Sequence, residues 1–308
     1  MAAISNFFFA VCSKGRNIVT SPHMFGNTFD LITRTLERFG VGVKVVDLID
    51  IEAVSKAVDA STCCIFLEIV TNPQLEVADL RELGKIARSW GIPLAADTTF
   101  IPFTEFDAEA LGVDFQLVSS TKYLSGGATC LGGLTIDYGH FPEVTKTLKT
   151  ELLFNLGAYM TPHAAYMQTL GLENLDARYR LQAANSLELA RRLESVPQIK
   201  KVGYIGLESN PYHELSRSQF GPSGGAMITI DLESEQKCYD FLNSLRLILR
   251  ATNLFDNKTL AIHPYSTIFV NFTPEQKAAM DVLPTTIRLS VGLEDVDDIF
   301  EDISQALR

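Results

Sequence analysis

The sequence lacks the features that mark several specialised classes of protein. No apolar run approaches the ~20 residues of a membrane span. No run of lysine and arginine occurs, and the net charge of -11 argues against a surface that binds nucleic-acid phosphates. Hydrophobic residues make up 46% of the chain and charged residues 20%, both spread along it, so no disordered or low-complexity segment is evident. The composition of these 308 residues therefore indicates a folded, soluble protein.

Cysteine and histidine are both scarce, with five residues of each. The cysteines are odd in number and form no C-x-x-C pair, so the sequence suggests neither a disulfide framework nor a zinc cage. The histidines stand at no metal-ligand spacing, so we assign no metal. This usage favours a reducing, cytoplasmic location. The apolar patch at residues 7–11 is too short for a signal peptide and follows no basic residue, so it predicts a buried helix.

The first half of the chain alternates short apolar, β-branched runs with helical patterns. This alternation is typical of an α/β fold in which helices cover a mostly parallel sheet. The predicted strands lie within residues 17–21, 41–48, 63–70, 92–100, 114–120 and 131–137, and the predicted helices within 28–40, 51–60 and 76–91. Two of these helical patterns end in glycine, as helices often do.

The second half of the chain has a different pattern. One long amphipathic helix pattern at residues 172–195 is followed by predicted strands that are less regularly spaced. Further strands are predicted within 202–207, 225–232, 266–272 and 285–292, and helices within 235–247 and 293–308. We expect the acidic residues of the last helix to face solvent. The pattern predicts a large domain over residues 1–170 and a smaller α+β domain over residues 171–308.

Polar residues follow several of the predicted strands at their carboxyl ends, where open α/β sheets bind ligands. They occur in "MFGNT" (24–28), "EIVTNP" (68–73), "DTT" (97–99) and "SSTK" (119–122). Each has a simpler explanation alone, as a turn former, a helix cap, a backbone partner or a core aromatic. Together they supply what pyridoxal phosphate needs: a lysine for its aldehyde, an acid for its pyridine nitrogen, donors for its phosphate and a flat side chain for its ring.

At these segments the sequence resembles the Cys/Met-metabolism enzymes of the fold-type-I pyridoxal-phosphate class. That family includes O-acetylhomoserine sulfhydrylases, cystathionine synthases and lyases, and methionine γ-lyases. The resemblance runs through the whole chain and is most specific in "SSTKYLSGG" and in "TTIRLSVGLEDVDDIFEDISQAL". It implies that the cofactor is bound by Lys122 as a Schiff base, by Asp97 at the pyridine nitrogen, by Ser119 and Thr121 at the phosphate, by Asn72 at the ring hydroxyl, by Phe25 through stacking and by Met1 in the phosphate loop. It also implies that Arg288 binds the substrate carboxylate and that Asn253 contributes to substrate binding.

Subfamily features favour one activity. The segments "FGNTF" and "ATNLFDNKTLAIHP" (251–264) are most similar to O-acetylhomoserine sulfhydrylases, and Asn27 stands where methionine γ-lyases usually carry a cysteine. The resemblance therefore implies γ-replacement on an O-activated homoserine, with a γ- or β-eliminating lyase as the alternative. The chain departs from the family at Phe25, which replaces a tyrosine, and at Phe255, which replaces a glycine.

The family also has a segment that precedes the position of Met1. In relatives this N-terminal arm donates a tyrosine and an arginine to the phosphate of a neighbouring subunit. The resemblance leaves three expectations open: a separate polypeptide supplies the segment, the sequence is truncated, or the protein is a non-catalytic homologue that serves as a partner subunit. It also implies a homo-oligomer, a dimer or tetramer, with a small amino-acid substrate and neither nucleic acid nor membrane as a partner.

Overall fold

The computed structural model describes residues 1–308, which form two compact units. Unit 1 comprises Met1–Thr71, Val77–Ser120 and Gly132–Ala165, and unit 2 comprises Asn72–Glu76, Thr121–Leu131 and Tyr166–Arg308. The expected domains at residues 1–170 and 171–308 stay a prediction. No helix has the length and apolar character that crossing a bilayer requires.

Unit 1 is built on a six-stranded sheet in the order β2-β1-β3-β4-β5-β6. The strands are β1 Asn17–Thr20, β2 Gly42–Val45, β3 Thr62–Glu68, β4 Leu94–Asp97, β5 Phe115–Val118 and β6 Leu134–Asp137. All neighbours pair in parallel except β5 and β6. Five of the six strands lie within the predicted ranges, and β3 begins one residue before its range. Strand β5 is buried along its whole length, as expected of a strand covered on both faces. The predicted mostly parallel α/β sheet is confirmed.

Helices flank the strands of unit 1 in the sequence. They are α1 Ala2–Val11, α2 Gly26–Asp30, α3 Ile51–Ala57, α4 Leu80–Trp90, α5 Pro142–Thr147 and α6 Leu153–Leu156. The predicted helix at 28–40 is not uniform, because α2 continues as a π-helix at Leu31–Thr35 and a 3-10 helix at Leu36–Phe39. Gly40 then ends it with a left-handed φ of 77°.

The core of unit 1 depends on the apolar patch of α1. Phe7 and Phe8 are fully buried, and their rings lie 5.1 Å from those of Phe115 and Phe66, respectively. These two contacts attach α1 to β5 and β3. The helix predicted at this patch is confirmed, and it is buried at Phe7 and Phe8 but not at Phe9, which is 37% exposed.

Unit 2 contains a smaller five-stranded sheet in the order β7-β8-β11-β10-β9. Its strands are β7 Lys201–Gly203, β8 Met227–Asp231, β9 Leu249–Arg250, β10 Leu260–Ile262 and β11 Thr286–Ser290. The remaining helices are α7 Pro162–Leu172, α8 Leu175–Leu193, α9 His213–Phe220, α10 Glu235–Ser244, α11 Pro274–Ala279 and α12 Val296–Ala306. Side chains of α8, α10 and α12 pack with those of the sheet in one apolar cluster. This mixed sheet with its helices confirms the predicted α+β character.

The prediction of a strand at residues 266–272 is wrong. Pro264–Ser266 form a 3-10 helix, and turns follow it. Phe269 and Phe272 are buried while Val270 is exposed, and the amides of Val270 and Phe272 each donate to the carbonyl three residues earlier. Residues three positions apart in a strand point to opposite faces, whereas here both are buried and Val270 between them is exposed. Packing therefore favours turns over the strand that the β-branched composition indicated.

We expected all the acidic residues of α12 to face solvent, and this prediction is wrong for Asp302. The carboxylate of Asp302 is buried and accepts hydrogen bonds from the amides of Arg246, Leu247 and Ile248, each 2.9 Å long. These amides lead into β9, so one carboxylate satisfies three donors at a strand start.

We predict that Asp302→Ala lowers the free energy of unfolding by about 2–4 kcal/mol, because three backbone amides, one of them buried, lose a charged acceptor. The free energy of unfolding of Asp302→Asn, which keeps one acceptor oxygen, should lie between those of the wild type and Asp302→Ala. Glu301 is the neighbouring exposed acid, and Glu301→Ala should change stability by less than about 0.5 kcal/mol. Urea denaturation measures all three; equal losses for Glu301→Ala and Asp302→Ala would contradict the assignment.

Candidate active-site residues

Two acidic residues stand side by side at the carboxyl edge of the unit 1 sheet. Glu68 ends β3 and Asp97 ends β4, and the register of these parallel strands places the two residues opposite each other. Neither residue is fully buried. This is the edge at which an open α/β sheet binds ligands, and the structure places Asp97 there as predicted from the strand pattern.

Thr99 connects Asp97 to Ser119. Its amide donates to Asp97 Oδ1 at 2.9 Å, and its hydroxyl oxygen accepts from the amide of Ser119 at 2.8 Å. Two predicted cofactor residues are thus joined through one threonine to which the sequence analysis gave no role. The only signal was its place in "DTT", directly after the strand.

Phe25 and Met1 are the other predicted residues in unit 1. The amide of Phe25 donates to Glu68 Oε1 at 2.6 Å, which fixes its backbone near the sheet edge, while the side chain remains 37% exposed. Met1 is also exposed, and its sulfur lies 4.0 Å from the hydroxyl of Thr28 in α2. The ring of Phe25 therefore has an open face on which a flat ligand could stack.

The other five predicted residues lie in unit 2, where Lys122 has a definite partner. Its Nζ donates to Asn253 Oδ1 at 2.5 Å, a contact between positions 131 apart in the sequence. The amide nitrogen of Asn253 is buried without a hydrogen-bond partner. Asn253 therefore orients the lysine amine and still has a donor to offer.

Arg288 lies in the middle of β11 and is only 2% exposed. Its Nη1 donates to Asn72 Oδ1 at 3.2 Å, and its Nη2 donates to the carbonyls of Thr252 and Asn253 at 3.0 Å each. Burial alone lowers the pKa of Arg288 to about 9. The burial of Arg288 excludes a surface ion pair as the role of this arginine.

These contacts join four predicted residues in one hydrogen-bond network within unit 2. Asn72 contacts Arg288, Arg288 holds the backbone of Asn253, and the Asn253 side chain holds Lys122. Arg288 Nε and Asn253 Nδ2 are buried and unpartnered, so the network offers free donors beside a buried positive charge. Such a donor set suits an anionic group, above all a carboxylate.

The loop that carries Lys122 is held from several sides. Arg178 Nη2 donates to the carbonyls of Tyr123 and Gly171 at 2.8 Å each. Asn257 Nδ2 donates to the carbonyl of Gly126 at 2.9 Å. Thr121, the last predicted residue, accepts from the hydroxyl of Ser125 through its carbonyl at 2.7 Å. These hydrogen bonds fix the loop and so position Lys122, as a functional side chain needs for a defined geometry.

Phe255 holds the same loop at a conformational cost. Its ring stacks on that of Tyr123, with centroids 4.3 Å apart and planes 10° from parallel. Its backbone has a left-handed φ of 58°, which costs a residue other than glycine about 1–2 kcal/mol. The amide of Phe255 also donates to the hydroxyl of Ser290 at 2.6 Å. The related family has a glycine at this position, and glycine adopts a left-handed φ without strain. This chain instead has a phenylalanine whose ring stacks on Tyr123.

Comparison with known families gives a match over the full chain. The family model described as "Cys/Met metabolism PLP-dependent enzyme" matches residues 1–308. The L-methionine gamma-lyase of Pseudomonas putida is 34% identical over 310 residues, which cover 100% of this chain and 77% of that protein. The O-succinylhomoserine sulfhydrylase of Pseudomonas aeruginosa is also 34% identical, with 75% of its length covered.

Solved structures are similar over the same extent. The O-acetylhomoserine sulfhydrylase of Wolinella succinogenes is 39% identical with a TM-score of 0.89, and the match covers 100% of this chain and 89% of that one. A Campylobacter jejuni structure described as an O-acetylhomoserine (thiol)-lyase is 30% identical with a TM-score of 0.94, and the match covers 99% and 80% of the two chains. That structure carries N'-pyridoxyl-lysine-5'-monophosphate.

We predict that Phe255→Gly destabilises the protein less than Phe255→Ala does, by about 1 kcal/mol. Both substitutions remove a buried ring, at a cost of roughly 3–5 kcal/mol, but only glycine relieves the left-handed backbone. Chemical denaturation of the two variants beside the wild type measures the difference. If alanine proved the milder change, the strain assigned to this residue would be absent.

Proposed function

The chain belongs to the Cys/Met-metabolism family of pyridoxal-phosphate-dependent enzymes, and from that premise we propose that it replaces the γ substituent of an O-activated homoserine with a sulfur nucleophile. The observation that carries this proposal is the buried guanidinium of Arg288, which is linked through Asn253 to the amine of Lys122. An uncompensated buried cation is costly. A substrate carboxylate would supply the missing negative charge.

The residues present fit the family's cofactor. Lys122 offers an amine, Asp97 a carboxylate, and Ser119 and Thr121 two hydroxyls at the end of β5. Ser120, between them, has a buried hydroxyl without a partner, so this segment has hydrogen-bonding capacity to spare. Lys122 would hold the aldehyde, Asp97 the pyridine nitrogen, the hydroxyls the phosphate, Asn72 the ring hydroxyl, and Phe25 and Met1 would lie against the cofactor. When bound, pyridoxal phosphate supplies an electron sink for the substrate amino acid.

The chain's own residues divide the remaining work. Arg288 binds the substrate carboxylate through its free Nε, which fixes the amino acid in one orientation. Asn253 Oδ1 keeps Lys122 Nζ aimed, and this amine moves protons to and from the substrate carbons. Phe25 stacks but has no hydroxyl, so proton transfer rests on Lys122.

Asn27 and the segment at 251–264 favour replacement over elimination. Asn27 is exposed in α2, where methionine γ-lyases usually carry a cysteine. An eliminating lyase is the second candidate, because a relative named L-methionine gamma-lyase is as similar to the chain, at 34% identity, as the O-succinylhomoserine sulfhydrylase. A non-catalytic homologue, active only as a partner subunit, is the candidate from another class.

We predict that the purified protein with pyridoxal phosphate converts O-acetylhomoserine and sulfide to homocysteine. Lys122→Ala should abolish this activity and also prevent borohydride from attaching the cofactor to the chain, which mass spectrometry detects without any turnover. Lys258 is exposed, and Lys258→Ala serves as the matched control that retains both properties.

Three results would redirect the assignment. Ketoacid release from methionine or cystathionine without added sulfide would favour the lyase. Cofactor attachment without turnover of either substrate would contradict both reactions. No attachment at excess cofactor would favour the non-catalytic homologue.

Assembly and location stay predictions. We propose a homo-oligomer, which light scattering on the same preparation tests; exposed apolar side chains at Phe154, Leu156 and Tyr159 in unit 1, and at Tyr166 and Leu170 in unit 2, are consistent with subunit contacts. A separate chain that supplies an N-terminal segment would co-purify as a second band. The cytoplasmic location rests on cysteine usage alone.

We predict that carboxylate binding weakens as pH rises through about 9. Burial lowers the pKa of Arg288 to about 9, so the charged form predominates below that pH and is lost above it. The inhibition constant of a carboxylate without an amino group should then rise about tenfold per pH unit above the pKa. Arg288→Gln should bind weakly at every pH, whereas Arg250→Gln, at an exposed arginine of β9, should keep the wild-type profile. Equal inhibition constants for Arg288→Gln and the wild type below pH 9 would refute the role of Arg288.

A further inference from the structure

Three cysteines converge in unit 1, and the proposed reaction uses none of them. Cys12 directly follows α1, while Cys63 and Cys64 are consecutive residues of β3. Their sulfur atoms all lie within 4.8 Å of one another. Cys12 is partly exposed, and the other two are buried.

An irregularity of the sheet explains how the side chains of two consecutive residues of β3, Cys63 and Cys64, lie close together. The side chains of successive strand residues normally point to opposite faces. The pairing of β1 with β3 shifts, however, because Asn17 pairs with Thr62 while the next residue, Ile18, pairs with Cys64. Cys63 is therefore the extra residue of a β-bulge, a feature that re-aims side chains. The bulge turns Cys63 towards the end of α1.

The result is a close pair of thiols. Cys12 Sγ and Cys63 Sγ lie 2.7 Å apart although the residues are 51 positions apart in the sequence. When protonated, Cys63 also donates to the carbonyl oxygen of Asn17, at 3.1 Å. The aromatic contacts of Phe7 and Phe8 fix α1, and with it the position of Cys12.

We propose that Cys12 and Cys63 form a thiol oxidation site, which a low-molecular-weight disulfide converts to an internal disulfide. In the first step Cys12 passes its proton to the Cys63 sulfur and attacks one sulfur of the external disulfide; a mixed disulfide forms, and the displaced small thiolate takes a proton from solvent. In the second step Cys63 attacks the Cys12 sulfur, and the second small thiol leaves with the Cys63 proton. The two cysteines are oxidised, the external disulfide is reduced to two thiols, and a reducing thiol reverses both steps.

Exposure assigns the order of the two steps. Cys12 is the member that a solute can reach, so it reacts first. Hydrogen bonds from Cys12 and Cys64 lower the pKa of Cys63, whereas the hydrogen bond to Cys63 raises the pKa of Cys12, so the Cys63 sulfur accepts the proton that Cys12 must lose before it attacks. Cys64 is wholly buried, and burial raises its pKa, so it is the least reactive of the three.

Oxidation of the full-length protein with glutathione disulfide tests the site. After reduction and desalting, the wild type should lose two of its five titratable thiols, and non-reducing peptide mapping should find Cys12 linked to Cys63. Cys63→Ser should instead accumulate one glutathione on Cys12, because the resolving thiol is absent. Cys12→Ser should neither take up glutathione nor form the link.

Cys130→Ser and Cys238→Ser are matched controls from outside the cluster, and both should form the link as the wild type does. Because the wild-type peptide map decides the matter by itself, misfolding of a variant cannot obscure the result. A wild type that retains all five thiols, a link that includes Cys64, or a stoichiometric bound metal that protects the three thiols would each overturn the proposal.

Discussion

The burial of one positive charge organises the candidate site of unit 2. Arg288 is held inside the unit by an asparagine and two backbone carbonyls, all of them neutral. Dipoles of this kind solvate a guanidinium only in part, as its lowered pKa shows. The site is thus prepared for an anion before one binds, which is how a binding site favours one ligand orientation without rearrangement.

The position of Lys122 depends on the same segment that holds Arg288. Residues 252–257 supply two carbonyls to the arginine, the Asn253 side chain to the lysine and the Phe255 ring to Tyr123. A displacement of this segment would therefore affect both functional side chains at once. The left-handed backbone at Phe255 fits this view, since strain persists where surrounding contacts over-determine a conformation.

In unit 1, the parallel pairing of strands determines which candidate site residues lie together. Parallel pairing brings the ends of β3 and β4 to one edge, and Thr99 extends that edge to Ser119 after β5. The bulge that gathers the cysteines occurs in the same β3, towards its opposite end. One strand thus carries an acidic residue at its carboxyl end and a reactive thiol near its start.

The sequence by itself determined the fold class, the strands of the parallel sheet and the residues of the candidate site. Hydrophobic periodicity, glycine at helix ends and the segments around Lys122 and Arg288 are local signals, and local signals can be read along a chain. The tertiary structure alone decided that Asn253 holds Lys122, that Thr99 joins Asp97 to Ser119, and that Asp302 is buried. It also decided that residues 266–272 form turns and that Cys12 meets Cys63. The physical reason is that these contacts join positions far apart in the chain, or depend on which face is buried, and no local pattern encodes either.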